Sequence, residues 1–386
     1  MNKKVIAIGL RPNQAKNVFS GQSMMFEAFV EYLQENEYDV KIIDLASKYD
    51  DINVGKITSK RIFEYVGIIL GAFKVFSANR KSTVYITTAQ TKGGFIRDYL
   101  FINFAKFFGC KLLLQQFGSN FENFYSTASP GLQKRILATF NKGDLIVVEG
   151  EVTKQQFRIV NNAESKVLIV KNGLPEKNLQ VGLQGKEYKA GETFNLIYLS
   201  YMIESKGYND VLQAVKLLKY TYGINVKCVF AGAFKASVDD TLFKDAIEAK
   251  KAFESYISEN NLEENILYYE GLMGAKKAEA FIKSHVFLLP SFFKFEGQPV
   301  SVLEAMAYGS VPIVTKYRMI PEMVTEETGV FVNAKAPDEI AQAVKALIEN
   351  PAQYAKLSQG SVDRYQKYFT LNGYCDNLMK LVERLG

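Results

Sequence analysis

Short apolar runs, each followed by a stretch with helical spacing, recur along the whole chain, and this alternation constrains the fold more than any single residue does. In the first half the runs cover 5–9, 40–45, 84–87, 111–115, 144–148 and 167–170. Helical spacing separates them at 26–33 and 62–76, and a further helix is bracketed by Gly93 and Gly94 at its start and Gly109 at its end. In the second half the runs cover 194–199, 226–231, 266–270, 286–289, 311–314 and 329–332, with helices between them; 338–348, 353–368 and 371–385 also read as helices. A tight hairpin cannot join parallel strands, whereas a helix crossing back over the sheet can. Each half therefore predicts an α/β unit with a doubly wound parallel sheet. The pair predicts two domains, 1–175 and 176–370, with an interdomain cleft, a polar linker over 176–192 and a last amphipathic helix in 371–386.

The chemistry concentrates in 290–312, P-S-F-F-K-F-E-G-Q-P-V-S-V-L-E-A-M-A-Y-G-S-V-P. The strand run before it ends at Pro290. Pro299 suits a first helical position, and 300–308 then continue without a breaker until Gly309. Ser301 and Glu304 are the plain polar exceptions in a helix that is otherwise apolar nearly all round, hence buried. An unpaired carboxylate there costs several kcal/mol, roughly. No basic residue of the helix offers Glu304 a partner, and the hydroxyls of a ligand would serve. Just ahead, Glu296 is a second carboxylate, and Gly297, Gln298, Pro299 and Val300 bring backbone N–H groups to the positive end of the helix, a site for an anion. Two carboxylates for hydroxyls and a cradle for phosphate describe a sugar attached to a diphosphate.

In the frame P-S-x(4)-E-G-x-P-x(4)-E-A-M-A-x-G the stretch resembles the donor-site signature of family 4, the retaining, nucleotide-sugar-dependent glycosyltransferases of GT-B fold (glycosyl transferases group 1). The resemblance implies two Rossmann-like domains, an N-terminal one for the acceptor and a C-terminal one for the donor, with the last helix crossing back to brace the first. It implies that Glu296 holds the donor sugar's hydroxyls, Glu304 the ribose diol, and Lys206, followed by Gly207 at the start of an expected helix over 206–219, the diphosphate. Glu296 and Lys206 would be the catalytic residues. Gly21 would lie in the cleft, under the diphosphate and near the acceptor, with a plain helix-capping role for Ser20 and Gly21 as the alternative, and the backbone at Tyr269, Glu270 and Gly271 would lie against the base. Three positions depart from the pattern: Phe117 stands where many relatives have a histidine on the donor sugar, Tyr201 where they have an arginine on the diphosphate, and His285 where they often have aspartate. Gly118, Ser119 and Asn120 remain as acceptor-side candidates.

The expected activity is retaining transfer of a hexose-type unit from a nucleoside diphosphate sugar to a saccharide or lipid-linked saccharide, in the making of cell-surface polysaccharide or glycoconjugate. The donor is a substrate, so no cofactor is expected, and no Asp-x-Asp motif calls for a metal. A non-catalytic nucleotide-sugar-binding partner subunit and a nucleotide-sugar epimerase of the same architecture stay open as alternatives. His285, the only histidine, supplies neither a metal cluster nor a triad and reads as structural.

The net charge of +6 is unevenly placed: residues 1–175 hold 23 Lys and Arg against 15 Asp and Glu, and the remainder 24 against 26. A solvated basic surface, an anionic membrane and a phosphate-bearing acceptor all fit; nucleic acid does not, because no helix-turn-helix, zinc-finger or RNA-binding signature accompanies the charge. The helix over 92–108 carries six aromatic residues, which suit core packing or contact with lipid headgroups. The apolar stretch 62–76 is shorter than the roughly 20 residues needed to cross a bilayer. The N-terminus runs straight into a strand, without the apolar segment of a signal peptide, which predicts a cytoplasmic protein, peripheral at the inner membrane face if it meets lipid. Cys110, Cys228 and Cys375 are widely spaced and read as reduced.

Overall fold

The computed structural model describes residues 3–12, 21–46, 59–175, 184–237 and 240–386, with the backbone alone described over 59–65. The chain divides into two compact units, Met1–Pro175 with Leu371–Gly386, and Glu176–Thr370. In the first, the elements are β1 (Lys4–Gly9), α1 (Gly21–Glu35), β2 (Asp39–Asp44), α2 (Ser59–Ala78), β3 (Thr83–Thr88), α3 (Lys92–Phe107), β4 (Lys111–Gln116), α4 (Phe121–Ser126), α5 (Pro130–Phe140), β5 (Leu145–Val148), α6 (Glu151–Gln156), α7 (Ala163–Lys166) and β6 (Val167–Ile169). All six strands are parallel, in the order β2-β1-β3-β4-β5-β6.

Helices cover both faces of this sheet, so its strands are buried on both sides, and every residue of β3 is buried. Alternation sorts β1 between two cores. Ile6 and Ile8 join Phe76, Phe95, Phe101 and Phe140 on one face; Val5 and Ala7 join Phe26, Phe29 and Tyr85 on the other. The second unit contains β7 (Phe194–Leu199), α8 (Tyr208–Tyr220), β8 (Val226–Ala231), α9 (Ala246–Glu259), β9 (Ile266–Tyr269), α10 (Gly274–Lys283), β10 (Val286–Leu289), α11 (Val300–Ala307), β11 (Val311–Thr315), α12 (Ile320–Met323), β12 (Val330–Val332), α13 (Pro337–Glu349) and α14 (Pro351–Tyr368). Its strands are also parallel, in the order β12-β11-β10-β7-β8-β9. The strand order reverses beside β7, between β10 and β8, and in open parallel sheets ligands collect outside the carboxyl ends of the strands at such a reversal.

The last helix, α15 (Leu371–Leu385), belongs to the first unit. Its buried Tyr374, Cys375, Leu378 and Val382 complete the core around Phe26, Phe29 and Tyr85. The Tyr374 and Tyr85 hydroxyls both donate to Gln115 Oε1, and Lys3 pairs with Glu383 at 2.7 Å. All three cysteines are free and buried. Most strand ends agree with the sequence to within a residue, whereas α2 is longer than the apolar stretch that announced it. Among the described residues no helix is long and apolar enough to cross a membrane. The loop at 13–20 with Ser20, and 176–183 of the expected linker, lie outside the described residues.

Candidate functional site

Three loops of the second unit meet at the carboxyl ends of β7, β8 and β10. After β7 a short 3-10 turn, Glu204–Lys206, precedes Gly207, and α8 starts only at Tyr208. Lys206 is therefore in the turn and not in the helix that the sequence suggested. The reason is local: Gly207 has φ +81°, a left-handed conformation that breaks the helical run, and a Cβ there would stand 2.6 Å from Pro290 Cγ. Phe292 N–H donates to Ser205 O at 2.7 Å across the same contact. Only glycine lets the loop after β7 lie this close to the loop after β10.

This closeness joins two residues that are 90 positions apart. Lys206 Nζ donates to both carboxylate oxygens of Glu296 at 2.7 Å, and Ser291 Oγ donates to Glu296 Oε2 at 2.5 Å. The Phe293 ring lies 4.8 Å from the ammonium. Glu296 is 4% exposed, and the Lys206 side chain 12%. A bidentate, hydrogen-bonded pair of this kind offsets the desolvation of both charges and presets both side chains. Sequence spacing did not indicate Ser291 as a partner of Glu296; its position five residues before that glutamate, at the mouth of a buried strand, was the only sign.

Glu304 departs from expectation more sharply. It is 4% exposed, as an apolar helix requires, but its partner is protein: Lys277 of α10 forms an ion pair with it. The search for a partner within one helix missed a lysine that the fold brings from the neighbouring one. The helix itself begins one residue later than expected. Pro299 (φ −66°, ψ 119°) is the N-cap, Val300 the first helical residue, and Gly309 follows the C-cap with φ +68°. Val302 N–H donates to Pro299 O at 3.1 Å, which leaves the Val300 and Ser301 amides, at the start of α11, as the first-turn donors with no carbonyl one helical turn earlier. Gly297, Gln298, Pro299 and Val300 thus stand next to the Lys206–Glu296 pair, with Gln298 buried.

Glu270 is not brought into this cluster. It follows β9, at the sheet's edge and two strands from β7, and is exposed, as are Tyr269 and Gly271. Gly21, in the other unit, is the exposed first residue of α1. His285 is structural: its Nδ1 accepts the Asn195 N–H at 3.0 Å and its ring stacks on Phe194 at 4.7 Å. Burial, helped by nearby Lys186, pushes its pKa down to about 4.

In the first unit, Gly118, Ser119 and Asn120 follow β4 and form one network. Gln90 Nε2 donates to Phe117 O (2.7 Å) and Gly118 O (3.1 Å), and Gln90 Oε1 accepts from Asn120 N–H at 2.8 Å. Gly118 N–H donates to Glu149 Oε2 at 3.1 Å, and Asn172 Nδ2 to Glu149 Oε1 at 2.7 Å. Glu149 is buried at the end of β5 and was missed in the sequence, where a carboxylate directly after an apolar run is its only sign. Asn120 Oδ1 is buried without a partner among the described residues, and an acceptor so placed suits a ligand hydroxyl. Phe117 packs against the core shared by α1 and α15. Among the described residues, no three His, Cys, Asp or Glu side chains converge as a metal site would require.

Comparison with known proteins bears on the fold and on the second unit. Residues 183–363 match the family model described as glycosyl transferases group 1. An uncharacterized glycosyltransferase of Methanocaldococcus jannaschii is 22% identical over 252 residues, 64% of this chain and 60% of that protein. The chain thus spans about three fifths of the length of the curated relatives it matches. Among solved structures, a glycosyltransferase from Rickettsia africae has a TM-score of 0.74 at 14% identity, covering 100% of this chain and 99% of that one. HepE of Anabaena in complex with UDP has a TM-score of 0.69 at 11% identity, covering 99% and 100%. The fold is GT-B, and the stretch that matches the glycosyl transferases group 1 model lies wholly within the second unit.

Proposed function

We propose that this protein is a retaining glycosyltransferase that moves a hexose-type unit from a nucleoside diphosphate sugar to a saccharide or lipid-linked saccharide. The observation that carries the reading is the Lys206–Glu296–Ser291 cluster beside the first turn of α11, at the reversal of strand order. As the bond from the sugar to the diphosphate breaks, negative charge grows on the departing phosphate. Lys206 and the first-turn amides of α11 stabilise that charge without having to reorganise. Glu296, prevented from moving by Lys206 and Ser291, accepts hydrogen bonds from the sugar hydroxyls and aligns the anomeric carbon. Glu304 retains lone pairs beyond its bond to Lys277 and takes the ribose diol. HepE has been crystallised with UDP and with UDP-glucose, so a UDP-sugar is the first donor to try. No Asp-x-Asp pair stands in the sequence, and we expect turnover to persist in EDTA.

The test is release of nucleoside diphosphate with and without a lipid-linked saccharide. Acceptor-dependent release supports transfer; donor interconversion without acceptor would identify an epimerase, and binding without turnover a partner subunit. Glu296→Gln should cut kcat about 100-fold and, because it leaves the Lys206 ammonium without its counter-charge, also lower the melting temperature, and Glu304→Gln should chiefly raise the donor KM. Wild-type turnover in both variants removes the donor-site assignment.

The acceptor side includes a membrane in this reading. Residues 66–111 contain seven Lys and Arg and one acid, Asp98, which is buried and paired with Arg97. Over the same span Leu70 (61% exposed), Phe73 (45%) and Phe107 (77%) stand out from α2 and α3, and Lys74, Arg80, Lys81 and Lys111 are exposed. Protruding apolar side chains on α2 and α3, with exposed cations on the same segments, complement an anionic lipid surface. Such a surface would hold the protein peripherally at the inner face of a membrane, where lipid-linked acceptors are found.

A further inference from the structure

We propose that Lys235, held against the face of Tyr201, supplies the second cation of the nucleoside diphosphate site. The proposal rests on the donor-site reading above and adds a residue to it. Charge balance motivates it. The Lys206 ammonium is already matched by Glu296, and the Glu304 carboxylate by Lys277, so these two ion pairs bring no net charge to the site. A dianionic diphosphate ester entering a partly buried site loses hydration, with no excess charge from these pairs to replace it. Another positive group is needed within reach of the same loops.

Lys235 is built into that position. Beyond the ends of β7 and β8 the two chains stay paired: Ser200 N–H donates to Ala231 O at 3.1 Å, Met202 N–H to Ala233 O at 3.0 Å and Lys235 N–H to Met202 O at 3.3 Å. Gly232 permits this. With φ +156°, it lies so close to Ser200 that a Cβ would meet the Ser200 carbonyl oxygen at 1.8 Å. The extended ladder sets Lys235 beside Tyr201, with Nζ 3.6 Å from the ring centroid. Tyr201 is in turn tied to the Lys206–Glu296 cluster. Its carbonyl accepts from the Tyr198 hydroxyl at 3.1 Å, and Tyr198 is near enough to Glu296 for the carboxylate to help raise its pKa. Tyr201 and Lys206 also share the loop after β7.

A tyrosine face attracts an ammonium without neutralising it, unlike a carboxylate. Lys235 is therefore positioned yet keeps its charge for an anion, and no carboxylate among the described residues forms an ion pair with it. Tyr201 acts through Lys235 as a positioning residue. Lys294 is the natural control, because it too is exposed and sits over an aromatic ring, at 5.6 Å from Phe295, but on the loop before α11.

The experiment is calorimetric titration of the whole protein with UDP, GDP and ADP and with the matching nucleosides. Lys235→Ala should weaken the best-bound diphosphate roughly tenfold and leave its nucleoside nearly unchanged. Lys235→Arg and Tyr201→Phe should bind as the wild type, Tyr201→Leu should be intermediate, and Tyr201→Arg should restore affinity to Lys235→Ala. Lys294→Ala should change little. Equal losses in Lys235→Ala and Lys294→Ala would assign the effect to the general field and overturn the proposal, as would wild-type affinity in Lys235→Ala. Parallel loss of diphosphate and nucleoside would instead mark a structural defect and also overturn it. If the wild type binds no nucleoside diphosphate, the donor-site reading fails and the proposal with it; normal wild-type binding that Lys206→Ala weakens and Lys235→Ala does not sinks this proposal alone.

Discussion

Two ionisable residues of the second unit, neither of them in the Lys206–Glu296 cluster, have pKa values that burial pushes down. Lys186 is half-buried and donates to Phe281 O (2.6 Å), Ser284 O and Ser310 Oγ (3.1 Å), and the loss of water around it pushes its pKa down to about 7. It fastens the end of α10, and so the helix that carries Lys277. His285 is its neighbour, and its acceptor role toward Asn195 N–H requires an unprotonated Nδ1. The folded-state pKa is lowered from 6.5 to about 4, so the unfolded chain binds the proton first. The contribution is complete above 6.5 and is lost as pH falls toward 4, about 3 kcal/mol in all. Urea unfolding between pH 7 and 4.5 should therefore show a steeper loss of stability for the wild type than for His285→Gln. Parallel curves would show that His285 is not buried neutral.

Among the elements, the proposed donor site depends on how two loops approach each other more than on any helix. Lys206 is on one and Glu296 on the other, and Gly207 allows their contact. Gly207→Ala would have to hold a left-handed conformation, which costs about 1–2 kcal/mol, and would drive a methyl group into Pro290. We expect a lower melting temperature together with weaker nucleoside diphosphate binding, although no ligand-facing side chain is altered. Retained affinity at reduced stability would separate the loop contact from the site. The sequence announced this junction in part. K-G after a strand and E-G before a helix were both visible, while the ion pair between them was not, because spacing along a chain says nothing about which loops the sheet order brings side by side. The same holds for Glu304 and Lys277, and for Gly118 and Glu149, each pair drawn from different crossovers.

At the scale of the whole molecule, six of the eight excess positive charges of residues 1–175 fall within 66–111. Binding of the protein to phosphatidylcholine vesicles containing phosphatidylglycerol should be strong at low salt and weak to pure phosphatidylcholine, each basic residue contributing about 1 kcal/mol. Phe107→Ser and the pair Arg80→Glu with Lys81→Glu should each reduce co-sedimentation about tenfold or more without changing turnover of a water-soluble acceptor. Indifference of the wild type to lipid charge would refute the membrane face. The sequence alone determined the alternation of strands and helices, hence two doubly wound parallel sheets, because hydrophobic periodicity and glycine or proline punctuation act over a few residues. It also placed the glutamates and the loop amides in one short stretch. Only the tertiary structure decided that Glu304 has a protein partner, that Lys206 grips Glu296, that Glu270 stays at the edge, and that Lys235 stands over Tyr201. Those outcomes depend on strand order and loop contact, which join residues through space by long-range packing that no local pattern encodes.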